Sequence, residues 1–373
     1  MTAPRVLALL TETFTNGGIQ RFNRTLLTAC GQIGVRCDVL SLNDVAASVP
    51  PDATGMSGNV WTFGRSKLRF SLASVRALLT GRYDWVIVGH INMLPLIAAV
   101  RAVAGGRCGR LVLVAHGAEV WERLRGARRR ALRRSSLLLC VSRYTRDRIL
   151  AQVPELSPGK CMIFPNALGR SWTDGAVAPS RGTLSEESQP RRFILSVARL
   201  DRADRTKGIV AVLEALPMLR DRTIHYVIAG TGDDLQFLRD DAARNLVDDR
   251  VYFVGSVADA ELAQLYRQCL AFVLPSSQEG FGIVFIEAML FGVPVVAARE
   301  KGAVDALMDG ETGLLVDYGD VAALASAIDA VTGNEQLRVA LCRRALDTVT
   351  GNGRFTFQAF VGRCSSIFGT EGS

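Results

Sequence analysis

Two glutamates, Glu279 and Glu287, stand eight positions apart in the passage LPSSQEGFGIVFIEAMLFGVPVVAA, residues 274–298, with Gly280, Phe281 and Gly282 between them. Carboxylates accept hydrogen bonds from hydroxyl groups, and glycines let backbone N–H groups at a helix start come close to an anion. A loop that offers both suits a sugar nucleotide. The spacing alone describes equally well two solvated glutamates on an exposed helix. Upstream lie Arg199 and Lys207, cations of the kind a diphosphate needs; an arginine can bind it bidentately. His116, within His116-Gly117-Ala118-Glu119, is one of three histidines, with His90 and His225. It reads either as a hydrogen-bonded structural imidazole or as one that faces a ligand.

These side chains need elements to hold them. The apolar run 270–274 halts at Pro275, passes through the polar, glycine-rich residues 276–282, and resumes as a helical pattern ending at Gly292 and Pro294. That is strand, loop, helix, turn, strand. Both carboxylates can then face a crevice at the carboxyl edge of a parallel sheet, where ligands of open α/β folds bind. The chain opens on a similar unit, with a strand over 6–10, a loop ending in Asn16-Gly17-Gly18, a helix through Phe22 and Leu26, and a strand over 35–42. Strands at 85–88, 111–115, 137–141 and 161–164 follow, each ending in a polar residue: His90, His116, Ser142 and Asn166. A dehydrogenase would need G-x-G-x-x-G after the first strand, and only the pair Gly17-Gly18 is present. A second series begins with 193–197 and continues with 226–229. The latter ends in Gly230-Thr231-Gly232-Asp233, where the backbone can lie close to a nucleoside.

A chain of 373 residues exceeds one ordinary core and predicts two domains. The stretch 172–192 is rich in Gly, Ser, Pro and charge and reads as their linker, giving domains at 1–175 and 193–354 with 176–192 between them. The net charge of +8 is unevenly placed: residues 1–190 carry 25 Lys and Arg against 12 Asp and Glu, and residues 191–373 carry 19 against 24. The basic half should meet something anionic. Its densest passage, WERLRGARRRALRR at 121–134, holds seven arginines, among them Arg128, Arg129, Arg130, Arg133 and Arg134. As one helix it would keep a thin apolar face of Trp121, Leu124, Ala127, Ala131 and Leu132. Such a helix is either simply solvated or an acceptor or membrane contact toward anionic lipid. No recognisable nucleic-acid motif accompanies the arginines, so nucleic acid is not an expected partner. The eight cysteines form no C-x-x-C pair and read as free thiols of a reducing compartment. The apolar runs 6–10 and 93–100 are too short for a signal peptide or a membrane span, so a cytoplasmic protein is expected, peripheral at most to the membrane.

Taken together, the Glu279-to-Glu287 passage with its P-S-S, G-F-G and F-G-V-P-V-V-A flanks, the S-x-x-R-L and K-G elements at 196–200 and 207–208, and the H-G-x-E at 116–119 resemble the family 4 retaining glycosyltransferases of the GT-B fold, bacterial polysaccharide type. The resemblance implies two Rossmann-like doubly wound parallel-sheet domains facing a central cleft. The first would bind the acceptor and be completed by a C-terminal helix near 355–370, and the second would bind the nucleotide sugar. It implies transfer of a hexosyl group from GDP-mannose or a UDP-hexose, with retention, to a lipid-linked saccharide acceptor, the partner being a saccharide or a polyprenyl-linked acceptor. Arg199, Lys207, Gly17, Gly18, Gly230, Gly280, Phe281, Gly282 and Glu287 would hold the donor, with Glu287 on the ribose. Glu279 and His116 would lie against the sugar and, with Arg199 and Lys207, carry catalysis. No cofactor and no metal are implied, and no D-x-D triple is present. From Lys301 the chain reads KGAVDALMDGETGLLV, with Asp305 where the family usually has Glu, which leaves the role of that position open. The alternative is a non-catalytic scaffold or sugar-nucleotide-binding protein that keeps the fold.

Overall fold

The structure, a computed structural model, describes residues 3–49, 57–104, 108–173, 190–351 and 353–369. It divides into two compact units, Met1–Gly169 with Arg354–Ser373, and Arg170–Gly353.

Among the described residues, the first unit has seven parallel strands: β1 (Arg5–Leu10), β2 (Arg36–Ser41), β3 (Val60–Thr62), β4 (Trp85–Val88), β5 (Arg110–Ala115), β6 (Leu137–Cys140) and β7 (Cys161–Ile163), in the order β3-β2-β1-β4-β5-β6-β7. The second has six: β8 (Phe193–Val197), β9 (His225–Ala229), β10 (Val251–Gly255), β11 (Ala271–Leu274), β12 (Val295–Ala298) and β13 (Leu314–Val316), in the order β10-β9-β8-β11-β12-β13. The inner strands β1, β4, β5, β11 and β12 are almost wholly buried, as apolar runs covered by helices on both faces must be. Each strand order reverses once, between β1 and β4 and between β8 and β11. Loops leaving the carboxyl ends there diverge and open a crevice.

The helix Phe357–Phe368 packs on Gly18–Gln32 of the first unit, where the Phe360 ring meets Phe22 and Phe164 edge-on and Arg363 donates to the Pro165 carbonyl. The changeover between units comes earlier than residue 175. Trp172 is buried, and its ring packs against Tyr266 and Phe291, so the beginning of the glycine- and serine-rich stretch belongs to the second unit's core. Residues 174–189 of the expected linker lie outside the described residues.

The arginine-rich passage does not form one helix. A short turn, Ala118–Trp121, is followed by extended backbone and a second helix, Gly126–Arg134, that begins at Gly126 with φ +54°. Trp121, Leu124, Ala131 and Leu132 are core residues rather than a thin outer face, and Ala127 is exposed. Arg129 is held by Glu155 at 2.6 Å, and Arg128, Arg130, Arg133 and Arg134 are exposed. All eight cysteines are free thiols. No helix among the described residues is long and apolar enough to cross a membrane.

Candidate active site

Two loops that leave the reversal point of the second sheet are knitted together. The loop after β8 carries Arg199 and runs through a 3₁₀ turn, Arg202–Lys207; the loop after β11 carries residues 275–282. Ser277 N–H donates to the Thr206 carbonyl at 2.8 Å. Gly208, at φ +80°, lies so close to Pro275 that a Cβ there would come within 2.4 Å of its carbonyl oxygen. This packing brings Lys207 Nζ to 2.5 Å from Glu279 Oε1, although the two are 72 residues apart. Glu279 is 7% exposed and Glu287 1%, so neither is a solvated surface glutamate.

The residues around Glu279 are fixed from a third loop, after β12. Gly302 N–H donates to the Glu279 carbonyl at 2.9 Å, and Lys301, in the left-handed region at φ +47°, donates from Nζ to the Ser277 carbonyl at 2.6 Å. Gly282, at φ +87°, caps the helix Ile283–Leu290 without a side-chain acceptor; Phe285 N–H turns back to the Gly282 carbonyl at 3.0 Å, so the amides of Ile283 and Val284 are the ones this helix start can offer an anion. One turn further, Glu287 accepts from the Tyr266 hydroxyl at 3.1 Å. Phe281 is buried within the loop.

Arg199 reaches outward and pairs with Asp204 at 3.1 Å. Asp234 receives Arg205 through two bonds of 2.6 Å, and Asp233 accepts from the Arg202 amide, so the 3₁₀ turn is clasped to the loop after β9. Gly230 and Gly232 serve that clasp. A Cβ at Gly232 would come within 2.0 Å of the Leu200 carbonyl carbon, and one at Gly230 would collide with the Ala198 carbonyl. On the side where a Cβ would stand, what these glycines admit is the chain's own backbone.

Gly17, Gly18 and His116 belong to the first unit. Gly17 precedes the helix Gly18–Gln32 at the carboxyl end of β1, again with no capping side chain. The loop before it is anchored by Asp44, which accepts from Thr13 N–H at 2.8 Å and from the Ser41 hydroxyl at 2.7 Å. His116 follows β5, its ring edge-on to Phe22 at 5.1 Å, and its amide donates to Glu119 at 2.6 Å. Its Nε2 is buried without a hydrogen-bond partner, as is Asn166 Oδ1 after β7. Burial lowers the His116 pKa to about 4; Glu119 opposes that shift and His90 adds to it. The imidazole is neutral at pH 7 and keeps a nitrogen for a ligand. Because the native pKa lies below the unfolded value, the native state binds fewer protons between about pH 6.5 and 4, and stability falls as pH drops through that window. His116→Asn is expected to remove about 2–3 kcal/mol of this pH dependence, measured as the wild-type-minus-variant unfolding free energy at pH 7 and pH 4. His90, also lowered by burial, keeps its own share.

Spacing does not single out Tyr266, Lys301 or Gly302. The Lys301-Gly302 pair directly after a strand is the available signal, since a glycine there marks a close backbone approach. Asp305 sits on the short helix Ala303–Ala306 that follows. Among the described residues, no three His, Cys, Asp or Glu side chains gather as metal ligands do.

Two doubly wound units, the second with a cation–carboxylate pair and an uncapped helix start at its switch point, define the GT-B class of glycosyltransferase. Residues 16–168 match the family described as Glycosyltransferase Family 4, and residues 185–347 that described as Glycosyl transferases group 1. The chain is 31% identical to the GDP-mannose-dependent alpha-(1-6)-phosphatidylinositol monomannoside mannosyltransferase of Mycolicibacterium smegmatis, over 69% of this chain and 70% of that one. It is 26% identical to the glycogen synthase of Mycobacterium tuberculosis over 90% and 87% of the two chains. Among solved structures, Anabaena HepE in complex with UDP-glucose superposes with a TM-score of 0.78 at 20% identity, over 97% of this chain and 98% of that one. The chain belongs to glycosyltransferase family 4.

Proposed function

We propose that the protein transfers a hexosyl group, with retention at the anomeric carbon, from a nucleoside diphosphate sugar to a saccharide acceptor carried on a lipid, in cytoplasmic polysaccharide or glycolipid synthesis. The observation that carries this reading is the Lys207–Glu279 pair at the reversal point of the second sheet. An ammonium has three donors. One serves Glu279, which leaves two for phosphate oxygens. Lys207 would thus tie the carboxylate that holds sugar hydroxyls to the leaving diphosphate.

In the reaction the bond from the anomeric carbon to the diphosphate breaks and its electron pair leaves with the phosphate. A bond to the acceptor oxygen forms on the same face, and the acceptor's proton is released. Lys207, Arg199 and the amides after Gly282 stabilise the departing charge; preorganised charge of this kind is typically the largest contribution to such a step. Glu279 orients the sugar and Glu287 accepts from the ribose hydroxyls. Glu287 would exchange the Tyr266 hydroxyl for the ribose or bind both. The scheme uses no covalent nucleophile and no metal. The names of the relatives, one using GDP-mannose, support a nucleotide-sugar donor without choosing its base.

Thermal unfolding with UDP, GDP and ADP in turn, each with EDTA present, tests the donor site. A nucleotide at about 100 times its dissociation constant adds about 2.7 kcal/mol of apparent stability. One of the three is expected to raise the midpoint and to name the donor class. If none does so, with or without added magnesium, the site is not a nucleotide site.

A further inference from the structure

The helix Lys67–Thr80 turns leucines to solvent. It buries Phe70, Ser74 and Leu78 against the first sheet, yet Leu68 is 71% exposed, Leu72 62% and Leu79 48%. At about 100° per residue these three lie within roughly 40° of one another, opposite the buried side. They form the outer pole of the helix. The neighbouring helix Leu94–Ala104, which packs against the first, repeats the pattern with exposed Leu96 and with Val103, 87% exposed. Scattered exposed leucines need no explanation, but two adjacent helices with outward apolar stripes do.

Charge accompanies the stripes. From Val60 to Ala118 the sequence has one carboxylate, Asp84, and it is engaged with the Arg5 amide. Lys67, Arg69 and Arg76 flank the leucines, and neither helix contains an acidic residue. On its other side the Leu94–Ala104 helix packs against Gly126–Arg134, whose exposed arginines extend the basic surface. That last helix spends Ala131 and Leu132 on the core and leaves only the small Ala127 exposed among its apolar side chains, so it can attract an anionic surface but has little to insert into one. The apolar component lies next door.

We infer that the first unit docks on an anionic lipid bilayer through this three-helix face, with Leu68, Leu72, Leu79, Leu96 and Val103 entering the headgroup and acyl boundary and the arginines of Gly126–Arg134 bound to lipid phosphates. Exposed leucines framed by cations and lacking carboxylates match an interface that is apolar beneath and negative above. A protein partner would also bury apolar side chains, but a lipid interface accounts at once for the leucine pole, the cations around it and the lack of carboxylates. The inference stands apart from the donor reading, because its test contains no nucleotide.

The test is sedimentation with vesicles of phosphatidylcholine alone or with phosphatidylglycerol, at low salt and at about 0.5 M NaCl, where the screening length is only a few ångströms. Wild type is expected to sediment with the anionic vesicles only and to keep a measurable part of its binding in high salt, where charge contacts are screened and inserted leucines are not. Leu68→Glu with Leu72→Glu, and separately Val103→Glu, are expected to weaken partitioning by about tenfold or more while unfolding at the wild-type temperature, since none of these side chains is in the core. Absence of binding to anionic vesicles at low salt overturns the inference. So does wild-type binding by the leucine variants, or complete loss of binding in high salt, which would leave a contact made by arginines alone. Sedimentation velocity decides the remaining case: a wild-type dimer that the leucine variants abolish would assign the face to a second copy of the chain.

Discussion

Lys207→Ala is expected to slow glycosyl transfer by about 10²–10³-fold, the usual cost of removing one preorganised charge donor from a leaving group. Its effect on stability is separate and should be measured alongside. Glu279 is nearly buried, and without Lys207 it keeps an unpaired carboxylate in a poorly solvated place. A fully buried pair broken on one side costs about 3–5 kcal/mol; Lys207 is partly open to solvent, so about 1–3 kcal/mol is the reasonable expectation here. Glu279→Gln removes the charge while keeping the shape, and the double variant should therefore recover most of the unfolding temperature lost in Lys207→Ala. It should not recover transfer. That divergence between stability and turnover is the signature of a functional pair, because a merely structural ion pair would move both together. Full transfer activity in both Lys207→Ala and Glu279→Ala would remove the pair from the mechanism.

What could be read in the sequence was what is local. The Glu279-to-Glu287 spacing, the strand that precedes it and the Gly282 helix start lie within one short stretch, where period and turn chemistry act directly. The partnership of Glu279 with Lys207 is of another kind. It depends on β8 and β11 being neighbours at the point where the strand order reverses, a property of topology that no spacing encodes. Gly230 shows the same limit from the other side. A glycine after a strand signals close approach, but that the Ala198 carbonyl is one of the groups approaching Gly230 is visible only in three dimensions. Trp172 hid because composition describes a stretch as a whole, and a single buried ring among glycines, serines and prolines leaves the average polar. The arginine-rich passage held a usable hint in Gly126, whose positive φ interrupts the helix that the arginines alone suggested. The exposed pole of Lys67–Thr80 could not be seen at all from periodicity, since its leucines and its buried Phe70 and Leu78 surround the helix with apolar positions. Only packing says which of them face water.

Gly302→Ala is expected to weaken donor binding and turnover together by about 10²-fold while leaving both units folded. The backbone of Gly302 is in the ordinary right-handed region, so alanine carries no conformational penalty there. The obstacle is space. A Cβ at this position would lie 2.0 Å from the Gly280 carbonyl oxygen, 2.4 Å from its carbonyl carbon and 2.7 Å from the Glu279 carbonyl oxygen. All three are backbone atoms, with no side-chain rotamer to turn aside, so residues 279–280 must shift by about 1 Å or more to restore van der Waals contact. The same shift breaks the Gly302 N–H bond to the Glu279 carbonyl and draws Glu279 away from Lys207. Misplacing a binding group by about 1 Å typically costs about 10² in rate even when the chemistry is untouched, and here the carboxylate and the helix start move as one. Gly333→Ala is the matching control. It lies at the end of the helix Val321–Gly333 with nothing near its Cβ position, so it should leave nucleotide binding unchanged and stabilise slightly, by up to about 1 kcal/mol. Nucleotide titration and far-ultraviolet circular dichroism of the two variants decide the matter. Wild-type affinity in Gly302→Ala would mean that the loop after β12 does not set the position of Glu279.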